Sequence, residues 1–254
     1  MSPARERSEP AVERAHFEGV LAARGALYWA ERTTAGRRRR DLRSALLIEQ
    51  AGLAARPDAT VLEIGCGTGE FTRPLARCTP ARLVGVEVAP AVVAEARRDA
   101  PPNVRLVAGD VERLPFADAS VDAVVGNAVL HHLRLDRTVP ELLRVLRPAG
   151  RLCFAEPNML NPQVFLERNV RWIGRLLDNS PGETAFVRWR LRRELAALGI
   201  ADLAIRPFDF LYPLTPRPLI GSVERLGRVL EGLPLVAEIA GSLLISGVRP
   251  GRPA

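Results

Sequence analysis

Three glycines in five positions interrupt the stretch TVLEIGCGTGEF, residues 60–71: Gly65, Gly67 and Gly69 follow directly on Val61, Leu62 and Ile64. Glycine packs no side chain and costs backbone entropy inside a strand, so this spacing marks a loop where something bulky passes close to the main chain. Free N–H groups at the start of a following helix favour an anionic group there. Two acids fall at matching places further on. Glu87 lies 18 positions beyond Gly69 at the end of RLVGVEV, where a carboxylate can accept both hydroxyls of a ribose. Asp110 ends VRLVAGD, where it can accept an adenine's exocyclic amine. Acids at strand ends are common singly; with the glycine loop these two describe an adenosine site. A nicotinamide dinucleotide would need G-x-G-x-x-G, and Glu70 occupies the third glycine's place.

Proton transfer has three candidates. His131 and His132 sit in NAVLHHL, and histidine has the right unperturbed pKa for a general base. One of an adjacent pair must point away from any site, and His131 is the first choice. Glu156, in FAEPN, is the third, with a capping or loop-fixing role as its alternative.

These residues need a scaffold that brings successive strand ends together. Short valine-rich runs at 60–64, 82–88, 104–110, 121–128 and 150–156 alternate with the helical patterns EFTRPLARC, PAVVAEARRD and TVPELLRVLRP. That alternation implies βαβ units and a parallel sheet covered on both faces, with ligands outside the carboxyl ends of the strands. Pro148, Ala149 and Gly150 are expected to end the helix before the fifth strand. Residues 1–56 read as a polar helical lid or cap, and 57–254 as the main domain, with helical insertions at about 158–182 and 214–240. A helix is expected in ETAFVRWRLRRELAALG, and further strands around ADLAIRPFDFLYP and SLLISGVRP.

The 254 residues suffice for one α/β domain with insertions. The N-terminal stretch has no apolar signal-peptide core, and no 18-residue apolar run exists. The three cysteines lack metal-ligand or disulfide spacing. A reducing cytoplasm and no bound metal are therefore expected. The formal charge is +7, and all 36 basic residues are arginine. The densest run, GRRRRD at 36–41, reads as a solvated helix face, with phosphate binding as the alternative.

The succession VLEIGCGTGEFT, VGVEVAP, GDVERLPFADASVDAVVGNAVLHHL and VLRPAGRLCFAEP resembles the class I S-adenosylmethionine-dependent methyltransferases, closest to the type 11-like branch acting on small molecules and lipids. The resemblance covers about residues 57–158. It implies a Rossmann-like, doubly wound seven-stranded α/β sheet, parallel except for a reversed last strand. It implies S-adenosylmethionine as cofactor. Gly65, Cys66, Gly67 and Gly69 would line its methionine and ribose moieties, and Glu63 would hold its amino group. Glu87 and Val88 would face the ribose, Asp110 and Val111 the adenine, and Asn127 would sit beside the sulfonium.

The acceptor must be read from the extra segments. Phe165 and Trp172 in the first insertion are candidates for its pocket, and Tyr28 and Trp29 for a lid over the cofactor. In the second insertion Leu219, Val223, Leu226, Leu230 and Leu233 recur at helical spacing. Packed core is the expectation for that stripe; a hydrophobic acceptor pocket or a weakly membrane-bound helix flanked by Arg225 and Arg228 are the alternatives. The reading that results is methylation, at oxygen, of a small apolar or amphipathic metabolite. A nucleic-acid methyltransferase would explain the charge, but the fourth strand lacks the Asn/Asp-Pro-Pro-aromatic run used on base amines, and no RNA-binding module is recognisable. A non-catalytic scaffold of the same fold is the reading from another class. The oligomeric state is not legible.

Overall fold

The computed structural model describes residues 10–24, 33–170 and 184–251. Seven strands form one sheet in the order β3-β2-β1-β4-β5-β7-β6. They are β1 (Thr60–Ile64), β2 (Arg82–Glu87), β3 (Val104–Ala108), β4 (Val121–Asn127), β5 (Leu146–Pro157), β6 (Ala201–Phe208) and β7 (Ser242–Val248). The first five pair in parallel; β7 runs antiparallel to both β5 and β6. The reversed last strand is as expected.

Alternate residues of one strand feed opposite cores, which is why these runs are apolar throughout rather than every second residue. Leu62, Ile64 and Val124 join one buried cluster with Val139 and Leu142. Val61, Ala123 and Val125 join the other with Leu75, Leu83 and Val93. The helices covering these faces are α3 (Thr72–Cys78), α4 (Pro90–Ala96) and α5 (Leu135–Val145).

Two expectations about elements change. Pro148, Ala149 and Gly150 do not lie between helix and strand: α5 ends at Val145 and β5 begins at Leu146. The three residues instead form an irregularity inside β5, where the pairing with β4 jumps from Val121↔Leu146 to Ala123↔Arg151 and Ala149 takes φ 61°. The reason is local: Pro148 cannot donate to a ladder, so the strand bulges around it.

The N-terminal cap is also not one unit. Helix α1 (Pro10–Arg24) lies over the sheet's carboxyl end. In α2 (Thr34–Ala51), however, Leu47 and Ile48 are buried in the main core beside Val61 and Leu83. Thr33 caps this helix by accepting from the Gly36 N–H (2.9 Å), and Gly52 ends it at φ 68°. Beyond β5 follow α6 (Pro162–Asn169), α7 (Arg188–Ala197), α8 (Ile220–Glu231) and the short α9 (Pro234–Ala237).

The stripe is core only in part. Of its residues Leu219, Leu226 and Leu233 are exposed while Val223 and Leu230 are half-buried, and α8 packs through Ile220, Val223 and Gly227. Gly227 permits this because a β-carbon there would lie 3.3 Å from the Phe210 β-carbon. No helix of the described residues is long and apolar enough to cross a membrane.

Candidate active site

The turn after β1 is built first. The Gly65 and Cys66 N–H groups both donate to Val86 O, at 2.8 and 3.1 Å, folding the chain back over β2. Gly65, Gly67 and Gly69 adopt φ of 66°, 50° and 79°, a region that side chains strain. Their surroundings differ. A β-carbon on Gly65 would come within 2.5 Å of Val129 Cγ2, and one on Gly69 within 3.1 Å of the Arg73 guanidinium. On Gly67 it would meet nothing within 4 Å. Of the three, Gly67 faces open space, Gly65 makes room for Val129, and Gly69 lets α3 and α4 close together.

That open space belongs to a cavity of about 180 Å³ at the carboxyl ends of β1, β2 and β3. Gly65, Gly67, Glu87, Val88, Asp110 and Val111 all line it. Glu87 is buried, with Oε2 accepting from the Gly67 N–H (3.2 Å) and Oε1 from the Ala89 N–H (3.1 Å). Those bonds aim the carboxylate at the glycine loop and leave lone pairs for further donors. Burial raises its pKa, against the pull of these N–H donors. Asp110 Oδ1 accepts from the Glu112 N–H (2.8 Å), while Oδ2 has no hydrogen bond.

Glu63 and Cys66 lie behind the wall rather than in it, and both are buried. Burial pushes the Glu63 carboxyl up to about 7, and the negative Glu87 adds to this. The Thr72 hydroxyl is near enough to oppose the shift but not in bonding geometry, since Glu63 Oε2 and Thr72 Oγ1 each lack a partner. Cys66 turns its sulfur toward Gly85 in the apolar layer, and burial holds its thiol protonated.

Helix α1 closes the cavity through Glu13 and Phe17, residues that no motif in the sequence singles out. The lid residues Tyr28 and Trp29 lie outside the described residues. His132 lines the cavity, with Nδ1 3.3 Å from Glu13 Oε2 and its ring edge-on to Phe17. His131 does not line it. It is 2% exposed, and Nδ1 lies 2.7 Å from Glu156 Oε2. Glu156 is buried as well, its Oε1 accepting from the Val129 and Leu130 N–H groups at 2.9 and 2.8 Å. Position therefore puts His132, and not the expected His131, at the cavity. Glu156 takes the loop-fixing role, because two main-chain donors and an imidazole already claim its carboxylate.

A second cavity, of about 240 Å³, meets the first at Ala128, which lines both and takes φ 52°. Gly36, Arg39, Arg40 and Arg43 of α2 line it, together with Asp209 from the segment after β6. Asn127 faces this side and not the glycine loop: Arg43 donates to its Oδ1 at 3.2 Å. Phe165 points outward, 51% exposed, and its neighbour Val164 lines the cavity in its place. Trp172 lies outside the described residues. The four α2 positions are spaced i, i+3, i+4 and i+7, one helix face, so half of GRRRR turns inward while Arg37 and Arg38 stay exposed. That spacing was the signal available in the sequence.

The first cavity carries Glu13, Glu87, Asp110 and Glu112 against Arg134 and His132, so it suits a cationic ligand with hydroxyl and amine donors. The methyltransferase-domain family matches residues 62–154. Residues 62–154 are a methyltransferase domain, on a fold shared with solved S-adenosylmethionine-dependent methyltransferases. S-adenosylmethionine, a sulfonium with an ammonium group, is the cofactor of this family. The residues present fit it: Gly67 leaves space at the loop, and Asp110 Oδ2 offers an unused acceptor.

Among similar proteins, a malonyl-[acyl-carrier protein] O-methyltransferase of Methylococcus capsulatus is 34% identical over 154 residues, 59% of this chain and 54% of that one. A demethylmenaquinone methyltransferase of Beutenbergia cavernae is 41% identical over 105 residues, 41% of this chain and 43% of that one. The chain thus spans about half the length of these relatives. A Thermotoga maritima protein described as a possible histamine N-methyltransferase superposes with TM-score 0.65 at 18% identity, over 93% of this chain and 99% of that one. A geranyl diphosphate C-methyltransferase of Streptomyces coelicolor does so at 0.57 and 20%, over 84% and 80%. The fold is thus shared by proteins named for methyl transfer to nitrogen and to carbon.

Proposed function

We propose that this chain transfers a methyl group from S-adenosylmethionine to an oxygen of a small amphipathic metabolite. The observation that carries the reading is the meeting of an acid-lined cavity and an arginine-lined cavity at one residue, Ala128. Support for oxygen comes from the O-methyltransferase of Methylococcus capsulatus and from the β4 terminus, GNAVLHH, which lacks the run used on base amines.

When bound, the cofactor supplies an electrophilic methyl carbon on a sulfonium leaving group. The chain's residues hold and align. Glu87 receives the ribose hydroxyls, Asp110 Oδ2 the adenine amine, and an ionised Glu63 favours the ammonium end from behind the loop. Glu156 pins the 128–132 turn and so keeps Val129 against Gly65. Phe17 and α1 exclude water on one side. Alignment of this kind can be worth about 7–11 kcal/mol in an intramolecular reaction. No histidine lines the arginine cavity among the described residues. Positioning, rather than a histidine base, is the chain's main contribution.

A polymer substrate fits less well, because Arg39 and Arg40 of the basic run line the cavity instead of the outer surface, and Arg40 is paired with Glu70. A scaffold without activity has no need of the open Gly67 face or the unused Asp110 oxygen. The deciding experiment incubates the protein with methyl-labelled donor and metabolite extract, lipid extract or total RNA. Label in a small molecule is expected; label confined to RNA, or none in any pool, overturns the reading.

A further inference from the structure

The arginine-lined cavity holds cations where a small pocket would ordinarily be apolar. Arg39 engages Asp209 Oδ2 through Nε alone, at 2.7 Å. Its two terminal nitrogens make no hydrogen bond, and Asp209 is its one acidic partner among the described residues. That carboxylate is shared, since Arg43 also donates to Oδ2 at 3.1 Å. Asp209 itself is buried and held at φ 74°, unusual for a residue other than glycine. Its Oδ1 accepts from the Leu211 N–H (3.2 Å), and its N–H donates to Glu231 (2.9 Å). Such over-determined strain is found at ligand clamps. The other acid of the lining, Glu167, accepts from the Gln163 amide at 2.5 Å.

A guanidinium held through Nε presents its far edge, two parallel N–H groups, in the geometry that a carboxylate or phosphate accepts in pairs. That edge opens into the cavity and no group among the described residues accepts from it, so an oxyanion there would find both donors unengaged. Val164 and Leu211 in the same lining suit an apolar body.

We infer that the arginine-lined cavity binds an oxyanion, the carboxylate or phosphate of a small molecule with a short apolar tail, through the terminal nitrogens of Arg39, with Asp209 as the positioning residue for Arg39 and Arg43. That this anion is the methyl acceptor rests on the methyl-transfer reading above. It narrows that acceptor to an anionic one, and its negative charge would lie beside a cavity built for a cation.

The test titrates hexanoate, hexyl phosphate and 1-hexanol into the protein, free and saturated with S-adenosylhomocysteine, and reads binding by calorimetry. At least one anion should bind, and more tightly than 1-hexanol; whichever anion binds better identifies the oxyanion. Arg39→Gln should weaken that anion about tenfold or more while S-adenosylhomocysteine affinity stays at the wild-type value, which also shows that the variant folds. Asp209→Asn, which tolerates the left-handed backbone, should weaken the anion without abolishing it, again at unchanged S-adenosylhomocysteine affinity. Equal binding of 1-hexanol and both anions, binding of neither anion, or an Arg39→Gln protein that binds the anion as wild type does overturns the inference. The comparison of anion with alcohol on the wild-type protein decides the matter even if the variants do not fold. Loss of S-adenosylhomocysteine binding alone would instead strike the methyl-transfer reading, because the anion titration of the free protein does not depend on it.

Discussion

His131 Nδ1 and Glu156 Oε2 lie 2.7 Å apart with both side chains buried, joining the turn after β4 to the end of β5. The pair acts on the site indirectly, through the main chain of Val129 and Leu130 and the Val129 side chain packed against Gly65. Glu156→Ala would strand two buried N–H donors and the imidazole. A loss of about 2–4 kcal/mol in denaturant unfolding is expected, with weaker cofactor binding as a consequence. His131→Ala should destabilise in the same way. Its remaining activity should keep the wild-type pH profile; loss of a rate-controlling ionisation would restore His131 as a base.

The glycine loop predicts three different phenotypes from one substitution. Gly67→Ala should weaken S-adenosylhomocysteine binding at least tenfold, with strain of only about 1 kcal/mol from the positive φ. Gly65→Ala should lose stability first, because the new methyl would meet Val129 Cγ2 at 2.5 Å. Gly69→Ala should fall between them, since the Arg73 side chain can move aside. Thermal melts and calorimetry on the three proteins separate these outcomes. Equal effects at all three positions would contradict the division of roles.

Alanine at Glu87 or Asp110 should weaken cofactor affinity by about 1–3 kcal/mol, the usual range for a lost hydrogen bond to a charged group. For Asp110 the melting temperature of the ligand-free protein should barely change. A fall in that temperature with unaltered affinity would make Asp110 a structural acid.

Glu63 makes binding and stability depend on pH in opposite senses. Burial raises its pKa from 4.5 to about 7, so the folded, ligand-free protein keeps a proton that the unfolded chain has already released. This group's contribution to stability is whole below about pH 4.5 and is lost as pH rises through 7, on the order of 3 kcal/mol. A bound ammonium favours the carboxylate, so cofactor affinity should climb by roughly tenfold between pH 5.5 and 7.5 and then level off. Glu63→Gln should flatten both curves. A wild-type affinity that is flat over this range would mean that Glu63 is not coupled to the ligand.

The exposed face of α8 predicts tolerance. Leu226→Ser combined with Val229→Ser should leave the unfolding free energy within about 1 kcal/mol of wild type, as exposed substitutions usually do. A loss of several kcal/mol would make that face packed core.

The arrangement of the cofactor side was legible in the sequence because it is local. A parallel strand delivers its last residue to the same edge of the sheet every time, so Gly67, Glu87 and Asp110 could be placed together from strand ends alone. The turn glycines announced themselves by spacing, although only the packing shows that Gly65 serves Val129. Which way a side chain faces beyond a strand end was decided by tertiary contacts. Asn127 and His132, only five residues apart, line different cavities because Ala128 reverses the chain at positive φ. Arg39 and Asp209 are 170 positions apart, and nothing short of the closed fold brings a helix ahead of β1 against the segment after β6. The succession of strands and helices along the chain, and the gathering of Gly67, Glu87 and Asp110 at strand ends, follow from periodicity and residue type; the arginine-lined cavity exists only where distant segments pack, because long-range closure, and not local preference, sets the direction of those side chains.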